Sequence, residues 1–122
     1  MADDNRLAGF LSLTIDGRSY AVAGEGAYRL SANKRETLTG QDGVHGYSEM
    51  PQPGKIGWKG RDGGSTLIKA INEATDATLV MSLANGKVIV GRNMWRAGDP
   101  IEVNTEDATF AVEFEGEDVT EN

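Results

Sequence analysis

The chain has 122 residues, 39% hydrophobic and 25% charged, which is the size and balance of one globular domain rather than a disordered segment. It has no cysteine, so disulfides, thiolate metal sites and cysteine nucleophiles are excluded. Its formal charge of −7, from 12 basic and 19 acidic side chains, argues against tight binding to a phosphate backbone.

In chain order, residues 1–6 are polar and acidic and are expected to be a short flexible N-terminus. No apolar signal-like core follows, and no apolar run approaches the roughly 20 residues that cross a bilayer. The expectation is a soluble protein without membrane insertion. Apolar residues then alternate at Leu11, Leu13 and Ile15, and again at Tyr20 and Val22, around Asp16-Gly17. Asp-Gly favours the type I′ turn that matches strand twist, and a two-residue turn sets Leu13 opposite Tyr20 and Leu11 opposite Val22. A short strand is expected at 28–31.

Residues 39–54 hold two of the three prolines and read as a long loop, suited to reach a neighbour. The strand expected over 55–61 puts Ile56 and Trp58 on one face and Lys55, Lys59 and Arg61 on the other. Over 65–75 the apolar residues Leu67, Ile68, Ile71 and Ala74 have helical spacing, with Ser65 or Asp62 as the cap.

A second hairpin is expected from Thr78 to Val90, turning at Asn85-Gly86. The expected register pairs Leu83 with Val88 and Met81 with Val90. Leu79, Met81, Leu83, Val88 and Val90 then share a face opposite Val80 and Ile89. The last strand, 108–115, sets Phe110, Val112 and Phe114 against Thr109, Ala111, Glu113 and Glu115. From Asp99 onward there are nine acidic side chains and no basic one, a block that reads as a solvated face ending in an acidic stretch at 116–122.

Catalytic constellations are missing. His45 is the one histidine and has no partner at metal-ligand spacing. The carboxylates fall in no calcium-loop pattern and no acid/base pair. Gly40, Gly43 and Gly46 lack the strand-to-helix context of a phosphate loop, and Gly63 to Thr66 reads as a turn and cap rather than an anion site. Trp58, with Lys55, Lys59 and Arg61 nearby, and Trp95 could offer stacking platforms, but tryptophans of this kind more often pack in a core or an oligomer contact. The residues point to a non-enzyme without cofactor or metal: a binding or assembly module.

Several segments resemble the tail tube protein of Mu-like bacteriophages. They are Glu36 to Pro51, Leu83 to Lys87, Arg92 to Gly98, Val112 to Asp118 and the passage from Leu67 to Thr78. Order and spacing agree over residues 5–118, with a departure at Met94, where the family pattern has alanine. The resemblance implies one mostly-β domain over 1–122: two packed antiparallel sheets forming a sandwich or partly closed barrel, one flanking helix and one long loop. It implies a virion tail component, assembled in the bacterial cytoplasm as six-membered rings that stack into a hollow tube through which DNA passes. Sheath, baseplate and terminator proteins are the implied partners. On that reading Val44, His45, Tyr47 and Met50 are the expected ring-stacking residues, and Glu113 and Glu115 face either the lumen or the sheath. The rival readings are a monomeric β-sandwich that binds carbohydrate through Trp58 or Trp95, and a capping or baseplate ring protein of similar fold.

Overall fold

A computed structural model describes residues 9–63 and 68–122. The first hairpin forms as its sequence dictates. β1 (Phe10–Ile15) and β2 (Arg18–Tyr20) pair with Leu13 opposite Tyr20. Asp16 and Gly17 take φ of 52° and 82°, the doubly positive pair of a type I′ turn. The expected pairing of Leu11 with Val22 does not occur. The chain leaves this hairpin at Ala21, and Val22 opens β3 (Val22–Arg29), where it faces Gly60 of β6 (Gly54–Arg61). The strand expected at 28–31 is thus the end of a longer one. Gly24 and Gly26 interrupt its apolar alternation, and the pairing with β6 shifts register twice along it.

The segment expected as a loop at 39–54 is instead mostly paired backbone. β4 (Ala32–Gly40) and β5 (Gly43–Gln52) form a separate two-stranded ribbon joined at Gln41-Asp42, and β6 begins at Gly54. Almost nothing on the ribbon is buried, so no apolar alternation marks its strands in the sequence.

α1 (Ile68–Asn72) buries Ile71. Residues 65–67 of the expected helix, with the expected cap Ser65, lie outside the described residues, and Asp62 stands six positions before Ile68. The helix ends at Asn72, short of the expected 75, and Arg96 bonds carbonyls at and just beyond its end. Arg96 Nε donates to Asn72 O at 3.0 Å and the Arg96 amide to Ala74 O at 3.1 Å.

β7 (Ala77–Leu83) and β8 (Val88–Ala97) form the second hairpin one residue out of the expected register. Met81 faces Ile89, and Val80 faces Val90. Asn-Gly occupies the last two positions of a three-residue loop, not both positions of a two-residue one. Leu83 N donates to Lys87 O at 3.0 Å and Gly86 N to Leu83 O at 3.1 Å, while Gly86 has φ of 92°, the left-handed position of a bulged loop. A one-residue slip exchanges faces. Ile89 is therefore fully buried with Leu79, Met81 and Leu83, whereas Val88 and Val90 are only half-buried on the other side.

β9 (Val103–Asn104), β10 (Thr109–Gly116) and β11 (Asp118–Glu121) complete the chain. β10 alternates as expected, with Phe110, Val112 and Phe114 buried, although Thr109 is buried too. The stretch at 116–122 is a strand rather than a tail: β11 pairs with β8, with Val119 buried.

The main sheet runs β2-β1-β7-β8-β10-β6-β3, with β11 also on β8 and β9 also on β10. β8 joins the two halves. Its first part pairs with β7 and β11, and its last part, Trp95 to Ala97, with β10. Asn93, at φ of 52°, marks the bend between them. The sheet curls into a nearly closed barrel around Leu13, Ile56, Trp58, Leu79, Met81 and Phe114. Met94, where the resemblance expects alanine, is fully buried against Gly91 and is a core residue.

Candidate assembly surface

The ribbon of β4 and β5 projects from the barrel as an arm. Strands of nine and ten residues make it roughly 30 Å long. Directly opposed residues share a face. One face carries Leu38 and Met50 with Lys34, Glu36 and Ser48; the other carries Val44 and Tyr47 with Arg35 and Glu49. Val44 is 73% exposed, Met50 66%, Tyr47 62% and Leu38 47%. Each of these is on the arm. A two-stranded ribbon packed against nothing is marginal in water, and this one holds apolar side chains open on both faces.

The arm is stiffened locally by polar contacts. Glu49 accepts from Asn33 Nδ2 at 2.8 Å and from Arg35 Nε at 3.1 Å, and the Arg35 guanidinium lies 5.5 Å from the Tyr47 ring centroid. At the tip the pairing slips, so that Thr39 faces Val44 and Leu38 faces Gly46, leaving His45 as the bulged residue. Its Nε2 lies 2.6 Å from Asp42 Oδ1, and this hydrogen bond holds the Asp42 carboxyl below its ordinary value of 3.8.

Of the expected stacking residues, the structure brings Val44 and Tyr47 to one face, Met50 to the other and His45 to the bulge between them. Leu38 belongs with Met50 and escapes sequence reasoning, because one leucine between threonines makes no pattern.

At the root of the arm lies an open groove of about 540 Å³, lined by Ala32, Asn33, Pro51, Pro53, Trp95 and Glu117 among others. Trp95 is 38% exposed there. Trp58 has a different environment: it is 2% exposed, with its ring stacked 5.8 Å from that of Phe114, so its face is closed to any ligand.

Glu113 and Glu115 stand on the outer face of β10, Glu113 exposed and Glu115 half-buried. Lys55 lies opposite Glu115 in register, and its Nζ is 2.9 Å from Glu113 Oε1. Two other members of the acidic block also meet cations across strands, Asp118 with Arg92 at 3.7 Å and Glu121 with Lys87 at 3.2 Å. The block is therefore partly neutralised on the barrel itself. Asp107, near the start of β10, accepts from Thr109 Oγ1 at 2.6 Å, which lowers its carboxyl below 3.8. Among the described residues no three potential ligands gather to hold a metal ion, and no helix is long and apolar enough to cross a membrane.

A family model described as phage tail tube protein matches residues 4–121. No curated protein matches the chain. Two cryo-EM structures hold chains of similar fold. One is the anti-feeding prophage cap, a tube terminating cap (12% identity, TM-score 0.66, covering 100% of this chain and 94% of that one). The other is the sheath/tube terminator of PVC, an extracellular contractile injection system, in its extended state (11% identity, TM-score 0.62, 91% of each chain covered).

Proposed function

The chain belongs to the phage tail tube protein family and is a structural rather than enzymatic component, and from that premise we propose that it is the ring subunit of a hollow tail tube. Six copies form a ring, and rings stack. The single observation that carries the reading is the arm: two long strands with Leu38, Val44, Tyr47 and Met50 open to solvent. Such a surface fits a partner, and a projecting arm on a nearly closed barrel fits a head-to-tail contact, which propagates instead of ending at a dimer. Val44, His45 and Tyr47 at the outer part of the arm are the ring-stacking residues, with Met50 nearer its root.

DNA passes through the lumen during ejection without being gripped, which a formal charge of −7 per copy favours. Glu113 and Glu115 share one sheet face, turned either to the lumen or to a surrounding sheath. Reversing both charges separates the two: slowed DNA ejection from intact tails assigns the face to the lumen, and lost sheath attachment assigns it to the exterior. The site of action is the virion tail, assembled in the host cytoplasm with sheath, baseplate and terminator proteins.

Negative-stain electron microscopy of the concentrated protein is the test. Hollow tubes or stacked rings support the conduit. Single rings that stay unstacked even with tail initiators favour a capping role, the second reading, which the fold shared with a tube terminating cap supports. Monomers at every concentration, with or without initiators, would sink both.

A further inference from the structure

The proposed ring needs a lateral contact between copies, and the root of the arm presents two unlike surfaces at one level. The groove contains Trp95, Ala32, Pro51 and Pro53, with Glu117 among its lining. Asn33 and Pro51, an opposed pair, line it; the next opposed pair along the arm is Lys34 and Met50. Successive residues of a strand point to opposite faces, so Lys34 and Met50 turn away from the face that carries Asn33 and Pro51, and the groove ends beside them, where Ala32 and Gln52 also line it. Met50 is 66% exposed and so does not fill the groove of its own chain. Among the described residues, neither Lys34 nor Glu117 is in an ion pair. The root thus carries an apolar knob beside a cation and, next to it, an apolar hollow beside an anion.

We infer that within a ring the Met50–Lys34 face of one copy docks in the Trp95 groove of the next, with Met50 on the indole and prolines and Lys34 against Glu117. This rests on the ring reading above. Rotation about an axis parallel to the arm keeps residues at their own level, so root meets root. Because knob and hollow are different surfaces of the same chain, the contact is heterologous, the kind that closes a cyclic ring when the rotation closes. Apolar contact supplies the adhesion, and the opposite charges fix the register and disfavour reversed pairing.

The native chain has no cysteine, so a cross-link reports one contact cleanly. Two single variants, Lys34→Cys and Glu117→Cys, are mixed, assembled and oxidised, and the product is run on a non-reducing gel. The expected result is a covalent Lys34→Cys–Glu117→Cys dimer from the mixture, and a ladder up to the ring size from the doubly substituted chain. Wild-type tubes with no cross-link in the mixture overturn this contact and leave the tube reading standing; wild-type monomers alone overturn both. As a second measurement, Lys34→Glu and Glu117→Lys each reduce ring yield at least several-fold, and the double exchange recovers it. Singles that assemble as wild type, or a double no better than the singles, overturn the contact.

Discussion

Trp58 and Phe114 stack with ring centroids 5.8 Å apart and planes 10° from parallel, one from β6 and the other from β10. They form the centre of the barrel and bind together the strands on which Lys55, Glu113 and Glu115 stand. Phe114→Ala should cost about 3–5 kcal/mol, through lost burial and a cavity that the neighbours only partly fill. Trp58→Phe should cost less, about 1–2 kcal/mol. It also removes volume, but the indole N–H finds no acceptor within the described residues, so its loss leaves no hydrogen bond broken. Urea unfolding followed by circular dichroism checks the order of the two; a larger loss for Trp58→Phe would contradict it.

Gly54 holds the C-terminal strand against the root of the arm. A side chain there would run into Val119, and Val119 is fixed by Ser31, whose Oγ accepts from the Val119 amide at 2.8 Å and whose own amide donates to Val119 O at 3.1 Å. Gly54→Ala should destabilise by about 1–3 kcal/mol as an overpacked site. Val119→Ala should not rescue it, because the Val119 Cβ that alanine keeps stands in the way of the new methyl as closely as its Cγ2 does. Faster amide exchange across β11 in Gly54→Ala is the expected signature, and unchanged exchange there would contradict it.

Arm substitutions should separate folding from assembly. Val44→Asp and Tyr47→Ser replace side chains that are mostly exposed in the monomer, so stability should move by no more than about 0.5 kcal/mol. If these residues stack rings, tubes should shorten to single rings while the melting temperature of the monomer stays put. Tubes of normal length with both substitutions combined would remove the arm tip from the stacking contact.

Asp42 and Asp107 both titrate below 3.8 in the folded chain, Asp42 chiefly through His45 and Asp107 chiefly through the Thr109 hydroxyl. A depressed carboxyl contributes stability above its unfolded value and loses it as pH falls through the folded one. Both contributions are therefore complete at neutral pH and vanish only in acid below that value. Carboxyl chemical shifts recorded against pH should show Asp42 returning upward in His45→Ala and Asp107 in Thr109→Val. An unmoved titration in either variant would deny the named hydrogen bond.

Where local chemistry and burial act together, the sequence is legible. Asp16-Gly17 set both the turn type and the pairing of Leu13 with Tyr20. Phe110, Val112 and Phe114 announced a half-buried strand. Asn85-Gly86 announced a hairpin but not its register, because the same dipeptide fits a two-residue loop or the end of a three-residue one, and only the burial of Ile89 decides between them. The arm was legible as a reaching element but not as paired strands. Both of its faces are exposed, so no core pattern exists for periodicity to detect. The acidic block hid β11 for a related reason: only Val119 of that strand turns inward.

β8 belongs to both halves of the barrel, paired with β7 and β11 up to Met94 and with β10 from Trp95 onward. One continuous backbone therefore crosses the wall of the molecule. The two halves cannot slide past each other without several ladder hydrogen bonds giving way together, because the covalent chain couples them. In a wall built of such barrels, a shearing load is shared along a strand instead of being peeled away bond by bond, which on the proposed tube reading suits a wall under load.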